Sequence, residues 1–201
     1  MRSTAFPLWC LVVLACSASA DDAPTQEPAV TTQGVVDSVF PVEEEIRRFK
    51  AELNGPAPDS LEYAAPSREV LSAWFIQAVE KLDTMRLRQL VLSPAEFIEF
   101  YYPYTQYTRP PYRQSPSFVW FLIQQNSEKG ISRLLKRYGG QPTGYRGIEC
   151  QEPVATQPPN RFWQCAVRWQ PAPDKPDPLR AFGFIMEREG RFKFVSYANG
   201  L

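Results

Sequence analysis

Hydrophobic periodicity divides the chain into four stretches. Residues 8–15, Leu-Trp-Cys-Leu-Val-Val-Leu-Ala, are apolar throughout, yet shorter than the about 20 residues that a bilayer span needs. Arg2 precedes this run and Ala18-Ser19-Ala20 follows it, which predicts an export signal cut before Asp21-Asp22. Residues 21–38 are rich in Pro, Thr, Gln and acidic side chains and have no apolar period; they predict a flexible acidic spacer. Residues 39–201 then carry the periodicity of a single folded domain.

In that domain the period is helical first. Val42, Ile46, Phe49 and Leu53 form one stripe, with Glu43-Glu44-Glu45 in the first turn and Gly55-Pro56 as the stop. Ser67 is the expected N-cap of a strongly amphipathic helix carrying Val70, Leu71, Trp74, Phe75, Ala78, Val79 and Leu82. Asp83 or Thr84 opens a shorter helix with Leu87, Leu90 and Val91. Ser93-Pro94-Ala95-Glu96 is a capping box, and its helix runs through Phe97, Phe100 and Tyr101 to an end near Pro103. A last helix covers about 117–138, with Phe118, Phe121, Leu122, Ile131, Leu134 and Leu135 apolar, an interruption expected at Gly130 and an end at Gly139-Gly140.

After residue 144 the period changes to two. Strands are expected at 145–151 and 161–169, joined by a Pro-rich loop at 152–160, and at 179–188 and 191–197, joined by a tight turn at Glu189-Gly190. Ile148 and Cys150 can share a face with Trp163, Cys165, Val167 and Trp169. Helices followed by an antiparallel meander make the fold class α+β. This order resembles the NTF2-like superfamily. The resemblance rests on the helix Ser67–Leu82 running into Asp83-Thr84-Met85-Arg86, and on the closing hairpin Phe182-Gly183-Phe184-Ile185-Met186 … Gly190-Arg191-Phe192-Lys193-Phe194-Val195. It covers residues 67–197 and implies N-terminal helices packed on a curved antiparallel sheet that forms a cone. The aromatic insert between the helices and the loop inside the first hairpin depart from the family pattern.

Composition narrows the chemistry. The chain has no histidine, which excludes histidine-activated Ser or Cys nucleophiles, His-ligated zinc and a histidine pH switch. Cys150 and Cys165 are 15 residues apart in strand-like segments of an exported chain, a spacing that suits a disulfide better than a redox-active pair. Cys16 has a second reading, because Val13-Leu14-Ala15-Cys16 resembles a lipoprotein cleavage box; cleavage there would lipidate Cys16 and tether the chain, whereas a cut after Ala20 discards it. The expected location is therefore periplasmic or secreted, or membrane-anchored through Cys16. Residues 21–70 hold 11 acidic and 4 basic side chains, whereas 71–201 hold 17 basic and 11 acidic. With no long Lys/Arg cluster and with export, nucleic acid is not an expected partner.

Ten of the 27 aromatic residues fall between Phe97 and Phe121, and Pro103, Pro110, Pro111 and Pro116 keep several of them out of regular helix. The stretch 104–113 therefore reads as an extended, proline-stiffened loop in which Tyr104, Tyr107, Arg109 and Tyr112 are candidate ligand- or partner-binding residues; the other reading is a loop whose tyrosines cover the core. Among the carboxylates, Glu96 and Asp83 have capping tasks, and Glu99 alone lacks one. The NTF2-like resemblance would make Glu99 an acid–base candidate opposite tyrosines. No metal or cofactor is expected. The leading expectation is a non-enzymatic exported domain that binds a small ligand or an envelope protein. The alternatives are a carboxylate–tyrosine enzyme and a lipid-anchored structural envelope protein.

Overall fold

The computed structural model describes residues 40–170 and 178–198, which belong to one compact unit; the leader, the spacer and Cys16 lie outside the described residues. Among the described residues five α-helices, α1 (Val42–Glu52), α2 (Arg68–Glu80), α3 (Thr84–Gln89), α4 (Pro94–Glu96) and α5 (Pro116–Tyr138), precede five strands, β1 (Gly147–Cys150), β2 (Ala155–Gln157), β3 (Asn160–Arg168), β4 (Phe184–Arg188) and β5 (Arg191–Phe194). The fold is α+β.

Side-chain caps open α2, α3 and α4 where the sequence placed them, and α5 has a cap, Ser115, that the sequence reading did not name. Ser67 Oγ accepts from Val70 N, Asp83 Oδ1 from Arg86 N and Ser115 Oγ from Phe118 N, each satisfying an orphan donor of a first turn. The capping box at α4 is reciprocal: Glu96 N donates to Ser93 Oγ, and Ser93 N donates to Glu96 Oε2 at 2.7 Å. Beyond Glu96 the expected α-helix is replaced by a π-helical turn, Phe97–Tyr101, which buries Phe97, Ile98 and Phe100. Gly130 does not interrupt α5. It is instead the point where the helix meets the C-terminal strand region, since a Cβ there would lie 2.6 Å from Ala198 O and 2.8 Å from Tyr197 Cβ.

The strands run antiparallel in the order β1-β3-β4-β5, and β2 pairs with the start of β3. β2 occupies part of the expected Pro-rich loop; three residues are too few to show a period of two, so its pairing Ala155↔Phe162 was not readable from pattern. The expected strand from 179 begins only at Phe184, with Leu179 and Phe182 making isolated bridges to Val167 and Tyr197. Glu189 and Gly190 both have positive φ (52° and 71°), as a two-residue turn matched to strand twist requires. Cys150 and Cys165 are directly paired across β1 and β3 and form the disulfide.

Alternation along β4 and β5 divides the core. One cluster joins Phe75 and Val79 of α2, Leu87 of α3, Leu134 of α5, and Val167, Ile185 and Phe194 of the sheet. Phe75 stands edge-on to Phe182 and Phe194 at 5.8 and 5.7 Å between ring centroids. A second cluster takes the alternate positions Phe162, Phe184 and Met186 and adds Leu61, Leu92 and Phe100. A third gathers Phe49 of α1, Phe97, Tyr102 and Val119.

Candidate functional site

The aromatic insert links the second and third clusters, and its backbone is compact rather than extended. Two 3₁₀ turns, Tyr102–Tyr104 and Gln106–Thr108, replace the expected stretched loop. The reason is local side-chain bonding. Thr105 Oγ1 donates to Tyr102 O at 2.9 Å and Thr108 Oγ1 to Thr105 O at 3.0 Å, so each threonine closes the turn before it. The buried Tyr102 hydroxyl donates to Gln114 O at 2.6 Å, and Gln114 N donates to Tyr107 O at 2.9 Å, which ties the end of the loop to its start.

These bonds sort the aromatics. Phe97, Phe100 and Tyr102 are buried, while Tyr101, Tyr104, Tyr107 and Trp120 are half-buried. Burial pushes the Tyr101 phenol up to about 12, and burial with the nearby Glu45 carboxylate does the same for Tyr102. Tyr112 is 52% exposed, and Arg109 is exposed beside it in the chain. Of the four candidate binding residues, Tyr112 and Arg109 therefore face solvent, and Tyr107 packs partly on the Phe97 cluster. Arg113 Nη2 donates to Phe40 O at 3.4 Å, and Arg113 also lines an open groove of about 500 Å³ between Val42 and Ile46 of α1 and Pro103, Thr108 and Pro110 of the loop.

α5 begins at Pro116, three residues after Arg113, and carries exposed residues to which the pattern alone assigned no outward role. Phe118, Phe121 and Leu122, spaced i, i+3 and i+4, are 48%, 50% and 41% exposed, whereas Val119, Ile131 and Leu134 are buried. The first turns of α5 are thus apolar on both sides, and among the described residues one side is covered.

Glu99 lies elsewhere, on the α1 side of the insert. Its Oε1 is 2.7 Å from Lys50 Nζ, and among the described residues it bonds no tyrosine hydroxyl. A small hollow of about 120 Å³ beside it is lined by Leu53 and Ile98. Asp83 and Glu96 hold their caps. Glu96 has a further partner that no local pattern revealed: Lys193 Nζ of β5 lies 2.6 Å from Oε2, while Oε1 accepts from Glu62 N at 2.7 Å. Glu96 is 0% and Lys193 2% exposed, so the pair is buried and joins the insert to the sheet. Desolvation pushes the Lys193 ammonium down, against the pull of Glu96. The one sequence signal was a lysine between Phe192 and Phe194, on the face alternate to theirs.

Among the described residues, no group of three or more His, Cys, Asp or Glu is placed to hold a metal, and no helix is long and apolar enough to cross a membrane. Comparison with protein families, with curated proteins and with solved structures found no match to this chain.

Proposed function

We propose that this protein is a non-enzymatic binding module, exported to the periplasm or beyond, that engages its partner through Arg109, Tyr112 and the outer face of α5. The observation that carries this reading is the Phe118–Phe121–Leu122 stripe, which is exposed and stands on a long, capped helix. Contiguous exposed apolar residues are a recurring feature of interaction sites. The bonds of Tyr102, Thr105, Thr108 and Gln114 support it further, because a loop held this closely loses little entropy on binding. The order of helices and strands also supports an NTF2-like scaffold, in which Phe100, Leu92 and Leu61 would occupy one face of the sheet. Glu99, neutralised by Lys50, takes no part in this reading.

Site-directed photo-crosslinking in the producing cell tests it. A benzophenone side chain at position 112 or 121 is expected to form adducts, and one at the exposed Lys81 none. Equal adduct formation at all three positions, or none at 112 and 121, contradicts the reading.

A further inference from the structure

Charge is unevenly placed along the chain on either side of the exposed stripe. Residues 100–148 contain seven basic side chains and one acidic one, Glu128. That acid is held by Arg88 in a two-point pair, Nε to Oε1 at 2.9 Å and Nη2 to Oε2 at 2.8 Å. Residues 114–127 carry no charge at all. The uncharged block is flanked on one side by Arg109 and Arg113, and on the other by Lys129, Arg133, Lys136 and Arg137, all of them exposed.

Helical spacing puts the two properties on one line. Positions 118, 122, 125, 129, 133 and 136 are separated by steps of four and three, so they form a single row along the outside of α5, and all six are exposed. The row begins apolar, with Phe118 and Leu122, and ends basic, with Lys129, Arg133 and Lys136. Aromatic and aliphatic side chains that enter the acyl boundary, with cations at the headgroup level, are what holds an interfacial helix on a bilayer.

From this we infer that the partner of the surface is an anionic lipid bilayer, on which α5 lies with Phe118, Phe121 and Leu122 inserted and its basic half on the headgroups. The inference rests on the binding-module reading and names its partner. A second copy of the chain fits less well. Parallel pairing along α5 sets Lys129, Arg133 and Lys136 against their own counterparts, and antiparallel pairing over its length sets them against Phe118 and Leu122; in neither case does the row offer its basic half an opposite charge.

Co-sedimentation with vesicles decides the matter. The exported chain carrying Cys16→Ser, which removes any acyl anchor, is mixed with phosphatidylglycerol/phosphatidylcholine vesicles and with phosphatidylcholine vesicles. Binding to the anionic vesicles is expected, about tenfold or more stronger than to the neutral ones and weakened by added salt. Phe118→Ser with Phe121→Ser, and separately Lys129→Glu with Lys136→Glu, should each lower it about tenfold or more with an unchanged melting temperature. No binding to anionic vesicles overturns the inference, as does equal binding to both vesicle types or a dimer in solution that Phe121→Ser dissolves. In each of those cases, position-specific crosslinks at 112 and 121 would leave the binding-module reading standing with a protein partner.

Discussion

Glu96 is a residue whose two tasks differ in reach. Its cap to Ser93 is local and follows from four consecutive residues, whereas its pairing with Lys193 spans 97 residues and forms only when the insert closes on β5. Removing one member of a buried pair strands the other charge, so Lys193→Met is expected to cost about 3–5 kcal/mol, measured by urea unfolding. Gly130→Ala tests a close approach in the same way. Alanine is the better helix former, yet its Cβ would press on Ala198 O, and we expect a net loss of about 1–3 kcal/mol in thermal or urea unfolding. Tyr101 and Tyr102 bear on pH. Their phenols are raised from 10.0 to about 12 in the folded state, so the stability tied to keeping them neutral is fully present below pH 10 and is lost as pH rises toward 12. Tyrosine absorbance followed together with circular dichroism should show these phenols ionising only as the fold is lost.

At the scale of elements, what was legible in the sequence was what is local. Ser67, Asp83 and the Ser93–Glu96 box announced helix starts because a cap is a short-range bond, and the Cys150–Cys165 pairing was expected from the strand period and spacing. Breaking that disulfide by reduction is expected to cost about 3 kcal/mol for a loop of 15 residues, read as a lower melting temperature in dithiothreitol. The π turn at Phe97–Tyr101 and the 3₁₀ turns after it were not legible, because threonine back-bonds and burial override the extended bias that Pro103 and Pro110 suggest. β2 was too short to show its period. On α5 Phe118, Phe121 and Leu122 were read as apolar together with Ile131 and Leu134, but which of them face outward is decided by what covers the helix. Val119 meets the α1 and Phe97 cluster and Gly130 meets Tyr197, which leaves Phe118, Phe121 and Leu122 turned away.

At the scale of the whole molecule, the three clusters among the described residues leave one apolar face of α5 exposed, and the loop before that helix is tied down by its own hydrogen bonds. Of the four residues named for their chemistry, Arg109 and Tyr112 are exposed, whereas the exposure of Phe118, Phe121 and Leu122 was not readable beforehand because exposure is a tertiary property. Tyr107 packs on the core cluster, so its loss mixes stability with binding. Arg109 and the α5 pair are the cleaner probes. The most direct measurement is therefore the crosslinking yield from a photo-probe at position 112, taken in the otherwise unaltered chain and in Phe118→Ser/Phe121→Ser, with thermal melting recorded in parallel. The binding-module account predicts that the adduct disappears in the variant while the melting temperature holds. An undiminished adduct, or a variant that unfolds, would contradict it.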